Sequence, residues 1–287
     1  MTDIDPTTEV SGEFSGNSEP IETTAPDGTK LVYRHWARPG STHRVVLIHS
    51  LAMDGAFWRP VAASLTEKAE VLALDCRGHG ASGKPTDPYS AELFAHDVAC
   101  VMDAAGWPAA VIAGASMGGC VALAFAGSYR ERVDGLGLID TTAWYGPDAP
   151  GAWAGRAQKA RDDGMAALVD FQKTRWFSDN FRRKNPEIVE SAIEVFLAND
   201  VEAYGATCRM LGACDMRDLL SSFRFPVAIM VGEEDYATPV AMAEEMHGAI
   251  AGSTLKVIEA ARHFTPLEVP EVIAAELAAL LDRTRPA

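Results

Sequence analysis

Several features are missing from this sequence, and each absence narrows the possible functions. No stretch of the 287 residues approaches the roughly 18 consecutive apolar residues of a membrane-spanning helix, so we expect no transmembrane segment. Basic residues are scarce, since 25 Lys and Arg stand against 40 Asp and Glu, a formal net charge of −15. A field of this sign repels phosphate backbones and anionic lipid headgroups, which argues against nucleic-acid and membrane partners.

Cysteine is also infrequent, and its spacing shows neither a CxxC motif nor a metal-binding pattern. The five cysteines are Cys76, Cys100, Cys120, Cys208 and Cys214. Their odd number predicts reduced, mostly packed thiols, and we expect no metal and no cofactor. Residues 1–5 have neither a basic n-region nor an apolar h-region, so no secretory signal is predicted and we expect a cytoplasmic protein.

The chain divides into a polar N-terminal segment and a longer globular part. Residues 1–20 contain five acidic and no basic residues, and they have too little apolar surface to offset the entropy of ordering. We expect a flexible extension there. The rest predicts a core in two parts, 21–141 and 223–287, separated by an insertion at 142–222.

Short apolar runs alternate with helical patterns through the two core parts. The runs cover residues 44–49, 70–75, 110–114, 133–139, 226–232 and 254–258, and the helical stretches cover 58–67, 90–106, 117–129, 239–250 and 268–283. This alternation predicts an α/β fold with a mostly parallel, doubly wound sheet. Two weaker strand patterns within 21–37 flank a Pro-Asp-Gly turn signal and predict an antiparallel hairpin at the sheet edge.

The insertion at 142–222 contains no convincing strand. Helical periodicity appears near 151–163, 165–177, 186–198 and 200–212, and the segment is rich in aromatic residues. We therefore predict a helical lid over the carboxyl edge of the sheet, where open α/β sheets bind their ligands.

The strongest chemical motif is the G-x-S-x-G of residues 114–118, which lies between a predicted strand and a predicted helix. A nucleophile on a sharp strand-to-helix turn needs small neighbours, and the following helix directs its first N–H groups at the site. Ser116 is therefore the predicted nucleophile. The alternative interpretation is an ordinary glycine-rich turn with a capping serine.

A serine hydroxyl needs a base, and the base needs an orienting acid. His263 follows the sixth apolar run on a loop, whereas His247 falls inside a helical stretch, so we assign the base to His263. Asp235, in the middle of the loop after the fifth run, is the predicted acid, and Asp140 at the end of the fourth run is its rival. The acidic loop could also be a charged turn before a helix.

A tetrahedral intermediate needs two N–H donors for its oxygen. One donor follows the nucleophile, at Met117, and the other comes from the loop after the first buried strand, where we assign Leu51. His79 lies among glycines before the serine in the chain, and we interpret it as a structural residue of its loop.

Together these motifs, in this order, resemble the α/β-hydrolase superfamily over residues 21–283. Within it, the Ser50-Leu51 start of the oxyanion loop and the pattern of tryptophan and arginine in the lid resemble 3-oxoadipate enol-lactonases. The resemblance implies that Trp153 contacts substrate. The chain departs from that family at Ala52, where the family has glycine, and in its N-terminal extension.

The sequence thus predicts a serine hydrolase that cleaves a small carboxylic ester or lactone through an acyl-enzyme, with an enol-lactone of aromatic catabolism as one such substrate. An anionic substrate would require a cation in the lid, for which Arg156, Arg161 and Arg175 are candidates. Two alternatives remain open, a C–C bond hydrolase of a dienoic ketone and a non-catalytic ligand-binding homologue. The expected partner is a small molecule, and an oligomer is not predicted.

Overall fold

In the computed structural model, which describes residues 19–86 and 88–284, eight strands form one sheet. The strands are β1 (Ile21–Thr24), β2 (Lys30–Trp36), β3 (Arg44–Ile48), β4 (Glu70–Asp75), β5 (Ala110–Ala115), β6 (Val133–Ile139), β7 (Val227–Gly232) and β8 (Thr254–Ile258). Their spatial order is β1-β2-β4-β3-β5-β6-β7-β8. The predicted extension at residues 1–20 falls almost entirely outside the described residues.

The sheet is antiparallel at one edge and parallel elsewhere. β2 pairs antiparallel with both β1 and β4, which confirms the predicted hairpin, and every pair from β4 through β8 is parallel. All residues of β5 and β7 are buried, because helices cover both faces of the sheet at these strands. The predicted α/β fold class is confirmed by this architecture.

Helices of the core alternate with these strands. They are α1 (Arg59–Leu65), α2 (Ala91–Ala104), α3 (Met117–Ser128), α10 (Val240–Ala249), α11 (Thr265–Glu268) and α12 (Pro270–Leu281). Between β6 and β7 lie α4 (Ala149–Asp163), α5 (Val169–Trp176), α6 (Asp179–Lys184), α7 (Pro186–Leu197), α8 (Val201–Ala213) and α9 (Arg217–Leu220). In the described residues, no helix has both the length and the apolar character needed to cross a membrane.

The two ends of the lid, defined here as residues 142–222, are joined to each other. Trp144 and Asp215 form an isolated antiparallel bridge, and Met216 N–H donates to the carbonyl of Ala143 at 2.8 Å. The single helix expected over 165–177 is divided, because a 3₁₀ turn (Met165–Leu168) precedes α5. The short helix α6, capped by Ser178, is too brief for periodicity to predict.

A buried ion pair fixes the loop after β4. Arg77 donates to both carboxylate oxygens of Asp97, at 2.5 and 2.6 Å, and both side chains are almost completely buried. His79 hydrogen-bonds the carbonyl of Arg77 through Nδ1 at 3.0 Å. The glycine-rich loop is therefore held by its own polar side chains next to the carboxyl ends of the strands.

Candidate active site

Ser116 lies on a sharp turn between β5 and α3. Its backbone has φ 54° and ψ −116°, a region that residues with a side chain rarely adopt. Its N–H donates to the carbonyl of Ile139 at 2.9 Å, which ties the turn to the neighbouring strand β6. Because β5 is an inner strand of the sheet, the hydroxyl of Ser116 is presented near the middle of the carboxyl edge.

The glycines around this turn are required by close backbone approach. A Cβ atom at Gly114 would lie 2.0 Å from the carbonyl oxygen of Gly118, and one at Gly118 would lie 2.1 Å from the carbonyl oxygen of Ile48. Neither separation is possible for real atoms, so any side chain would displace strand or helix. The G-x-S-x-G motif therefore has a packing reason here, beyond its role in presenting Ser116.

Three side chains from different loops meet at this turn. Ser116 Oγ lies 2.9 Å from His263 Nε2, and His263 Nδ1 lies 2.7 Å from Asp235 Oδ2. With the imidazole proton on Nδ1, His263 donates to Asp235 and accepts from the hydroxyl of Ser116. The exposed fractions are 7% for Ser116, 6% for His263 and 3% for Asp235, so water reaches only a small part of this chain of hydrogen bonds.

The loop around Asp235 is arranged to keep its carboxylate ionised. Oδ1 accepts from the N–H groups of Ala237 and Thr238 at 2.7 and 2.9 Å, and Oδ2 accepts from the hydroxyl of Thr238 at 2.9 Å. Burial by itself raises the pKa of Asp235, but the charge and hydrogen bond of His263 and these N–H donors outweigh it and hold the pKa below its usual value. Sequence reasoning missed Thr238, although aspartate side chains often accept from the N–H two residues further on, as Asp235 does from Ala237.

Asp140, the rival acid, makes different contacts. Its carboxylate accepts from Gly232 N–H at 3.0 Å and from the N–H and hydroxyl of Thr265 at 3.1 and 2.6 Å. Burial, and then the charge of Asp235, raise the pKa of Asp140 well above its usual value. The side chain thus joins the start of the Asp235 loop to the residue two positions beyond His263, and it positions both loops.

The lid also contacts the loop that contains His263. Arg262 donates to the carbonyls of Thr174 and Phe177 and to the carboxylates of Asp179 and Glu234, at 2.9 to 3.2 Å. Ring contacts are made at the same place, where Phe264 stacks on Trp176 and meets Phe57 and Phe177 edge to face. The position of His263 therefore depends on lid residues as well as on the sheet.

A cavity of about 210 Å³ lies between the lid and the sheet edge, and Ser116 and His263 form part of its wall. The other lining residues include Ser50, Leu51, Tyr145, Asp148, Trp153, Arg156, Gln172, Arg175, Trp176 and Thr238. The wall combines apolar surface with a few polar groups, which is typical of small-molecule sites. Two predicted residues, Leu51 and Trp153, thus face the same space as Ser116.

The predicted oxyanion donors come from two different elements next to Ser116. Met117 is the first residue of α3, so its N–H is one of the leading amides that an α-helix does not bond internally. Leu51 belongs to the loop after β3 and lines the cavity together with Ser116. Both residues are therefore neighbours of Ser116, Met117 along the chain and Leu51 across the cavity wall.

Two of the three candidate arginines line the cavity. Arg156 lies over the ring of Trp153 at 4.5 Å, and Arg175 donates to the carbonyl of Tyr236. Among the residues that the structure describes, no carboxylate is within ion-pair distance of either guanidinium, and Arg175 Nε is buried without a hydrogen-bond partner. Arg161 instead pairs with Glu202 at 2.9 Å on the exposed face of α4.

Tyr145 was not identified as a site residue from the sequence. It lines the cavity, its ring meets that of Trp153 edge to face at 5.3 Å, and the thiol of Cys120 lies 3.8 Å from its hydroxyl. Burial, followed by the neighbouring thiols, raises the pKa of Tyr145 well above its usual value, so the hydroxyl stays protonated. Its aromatic neighbours in the lid gave no signal that distinguished it.

Comparison with known proteins identifies the class. A family model described as the alpha/beta hydrolase fold matches residues 43–270, and the chain belongs to this family. The predicted superfamily is therefore confirmed.

The relatives indicate which branch of the family the chain resembles. It is 32% identical to 3-oxoadipate enol-lactonase 2 of Acinetobacter baylyi, over 87% of this chain and 93% of that protein. Among solved structures, the enol-lactonase from Burkholderia xenovorans LB400 is 32% identical with a TM-score of 0.87, covering 91% of this chain and 100% of the other. A thermophilic esterase from Thermogutta terrifontis, solved with malate bound, is 28% identical with a TM-score of 0.85, covering 92% and 98%. The predicted resemblance to 3-oxoadipate enol-lactonases is confirmed.

Proposed function

We propose that this protein is a serine hydrolase that cleaves a small carboxylic ester or lactone through an acyl-enzyme. The observation that carries the proposal is the continuous hydrogen-bonded series from Ser116 through His263 to Asp235 beside an open cavity. A hydroxyl bonded to an imidazole, which is itself oriented by a carboxylate, is the arrangement that activates an alcohol.

In the acylation step, Ser116 Oγ attacks the substrate carbonyl while His263 Nε2 accepts the hydroxyl proton. Asp235 holds the imidazole in the required tautomer and stabilises its positive charge, and its lowered pKa keeps it ionised for that role. The carbonyl oxygen becomes an anion, which receives hydrogen bonds from the N–H groups of Leu51 and Met117. His263 then donates its proton to the leaving oxygen as the carbon–oxygen bond breaks.

In the second step, water attacks the acyl carbon while His263 accepts its proton. His263 then returns this proton to Ser116 Oγ as the bond between Oγ and the acyl carbon breaks and the acid is released. A lactone adds a constraint, because its leaving group remains tethered to the acyl chain and can close the ring again. Rapid attack by water is therefore necessary, and the narrow exposure of Ser116 and His263 to the cavity provides the route.

The cavity favours a substrate with an anionic group in addition to its ester. Arg156 and Arg175 supply positive charge to a wall whose described residues include one acid, Asp148. Trp153 provides a flat apolar surface beside the guanidinium of Arg156. We therefore propose a carboxylate-bearing lactone, and the names of the relatives support an enol-lactone. We also propose a role in aromatic catabolism and a cytoplasmic location, which the resemblance implies.

The reaction class is tested by Ser116→Ala. Turnover of activated esters should fall by about 10⁴-fold or more, because residual activity would come only from binding and oxyanion stabilisation. The native protein should be labelled by a fluorophosphonate and the variant should not. Ser64→Ala, an exposed position on α1, is the matched control and should behave as the native protein. Equal turnover in the native protein and Ser116→Ala would refute the proposal.

The substrate class is tested with a panel of carboxylate-bearing lactones, their neutral esters and dienoic ketones. We expect the highest kcat/KM for an anionic lactone. Preferential turnover of the ketones would instead identify a C–C bond hydrolase. A native protein that neither reacts with the fluorophosphonate nor turns over any member of the panel would be a ligand-binding homologue.

A further inference from the structure

The oxyanion loop contains a strained turn at residues 50–53. Met53 N–H donates to the carbonyl of Ser50 at 3.1 Å, and Ala52 has φ +60°. A positive φ at the third position of such a turn corresponds to type II geometry, which normally requires glycine or asparagine. An alanine in this conformation stays there only if surrounding contacts hold it.

The core side of the turn is held by His49. Its Nδ1–H donates to the carbonyl of Ser50 at 2.7 Å, and its Nε2 accepts from Cys76 N–H at 2.9 Å. Burial lowers the pKa of His49, so the ring is neutral and both hydrogen bonds are satisfied by one tautomer. This contact fixes the first residue of the turn and leaves Ala52, two residues further on, without support from His49.

The lid side of the turn is held by Asn199, at the junction of α7 and α8. Its Nδ2 group donates to the carbonyl of Ala52 at 2.8 Å, and to the carbonyls of Val195 and Phe196 at 2.9 and 3.2 Å. All three neighbours are acceptors, so only a hydrogen-bond donor is compatible with this position. The two ends of the Ala52 contact are 147 residues apart in the chain.

Packing between α7 and the core is incomplete beside this contact. A cavity of about 160 Å³ lies there, lined in part by Met53, Phe57, Ala192 and Val195. Apolar side chains therefore do not fill the space between α7 and the core at this point. The hydrogen bond from Asn199 is a specific contact that holds the lid and the oxyanion loop together here.

We propose that Asn199 is a positioning residue that holds the strained turn at Ala52 and thereby sets the place of the Leu51 N–H. This inference rests on the proposed function, in which Leu51 donates to the oxyanion. The geometry of the oxyanion site then depends on the lid, because a displacement of the C-terminal end of α7 would remove the hydrogen bond that supports the turn at Ala52. Asn199 touches neither substrate nor Ser116 in this role.

The first test compares Asn199→Ala with Asn185→Ala. Asn185 is at the other end of α7, and its side chain donates to a carbonyl within the lid, that of Phe181, at 3.3 Å. On a p-nitrophenyl ester, Asn199→Ala should lower kcat about 10-fold with KM little changed, since full loss of an oxyanion donor costs about 10²–10³-fold. Asn199→Asp keeps the shape of the side chain but places a carboxylate oxygen opposite three carbonyl oxygens, so kcat should fall at least as far as in Asn199→Ala. Asn185→Ala should keep the native kcat.

A second readout separates positioning from a general loss of structure. A boronic acid that forms a tetrahedral adduct with Ser116 should bind Asn199→Ala about 10-fold more weakly, while a carboxylate product should bind with unchanged affinity. In an Ala52→Gly background, where positive φ is unstrained, Asn199→Ala should cost only about 2-fold in kcat.

The outcomes distinguish this inference from the proposed function. If Ser116→Ala is inactive but Asn199→Ala keeps native kcat and boronate affinity, the role of Asn199 is refuted and the hydrolase proposal stands. Equal losses from Asn199→Ala in the native and Ala52→Gly backgrounds would also refute it. Undiminished turnover by Ser116→Ala would refute the proposed function itself.

Discussion

Replacing Arg156 by methionine tests whether the cavity selects an anionic substrate. The substitution keeps an apolar side chain of similar length beside Trp153 and removes the guanidinium that faces the cavity. A hydrogen bond between a carboxylate and a guanidinium contributes about 1.5–3 kcal/mol. We therefore expect kcat/KM for a carboxylate-bearing lactone to fall by about 10- to 150-fold, since each 1.4 kcal/mol is tenfold.

The same helix provides a matched control in Arg161→Met. Arg161 pairs with Glu202 on the exposed face of α4 and does not line the cavity, yet its substitution changes the net charge of the protein by the same amount. Both variants therefore change the net charge equally, but only Arg156→Met removes a charge from the cavity wall. We expect Arg161→Met to change kcat/KM less than about twofold.

The assay measures kcat/KM for an anionic lactone and for its neutral methyl ester, at two salt concentrations. Arg156→Met should lower the value for the anionic substrate alone, and Arg175→Met should act in the same direction. The proposed substrate class is wrong if Arg156→Met lowers kcat/KM equally for the anionic lactone and the neutral ester, or if Arg161→Met lowers it as much as Arg156→Met does. Either result would mean that the guanidinium of Arg156 does not recognise the charge of the substrate.

Three further predictions concern the loops that form the site. Asp235→Asn should lower kcat by about 10³- to 10⁴-fold with the fold intact, while Glu233→Gln, at an exposed position on the same loop, should change kcat little. Because the pKa of Asp235 is lowered on folding, its stabilising contribution is complete above about pH 4 and is lost as the pH falls through the folded-state pKa, so the unfolding curves of the native protein and Asp235→Asn should converge in acid. Gly118→Ala should abolish fluorophosphonate labelling or soluble expression, since its Cβ would lie 2.1 Å from a β3 carbonyl oxygen, and full labelling would contradict the close approach. Asp97→Ala should lower the free energy of unfolding by about 2–3 kcal/mol in urea titrations, because it leaves the buried guanidinium of Arg77 with the half-exposed Asp27 as its remaining carboxylate partner, and a loss below about 1 kcal/mol would contradict the role of the Arg77–Asp97 pair.

The parts of this site that the sequence predicted are those determined by short segments. The glycines that flank Ser116 lie within five consecutive residues, and the change from a strand pattern to a helix pattern can be recognised in a short stretch of sequence. The loops that contain Asp235 and His263 follow apolar runs, and parallel strands end at one edge of a sheet, so their convergence could be inferred before any distance was known.

The parts that the sequence did not predict depend on contacts between distant segments. Asp140 joins the ends of two other loops through Gly232 and Thr265, residues 92 and 125 positions away. Asn199 reaches Ala52 across 147 positions. A single aspartate or asparagine in a polar stretch carries no periodic or motif signal that indicates such partners, and only the packing of the lid on the core brings them together.

Net charge gave an incomplete account of substrate choice for a similar reason. A formal charge of −15 is a property of the whole chain, and by itself it argues against an anionic ligand. At physiological ionic strength, however, exposed charges are screened over about 8 Å, so most of those carboxylates contribute little at the cavity. Arg156 and Arg175 line the partly enclosed cavity, where a bound ligand would lie next to them and screening by salt is weaker. The proposed preference for an anionic substrate therefore rests on the position of these two side chains and not on the sum of charges over the sequence.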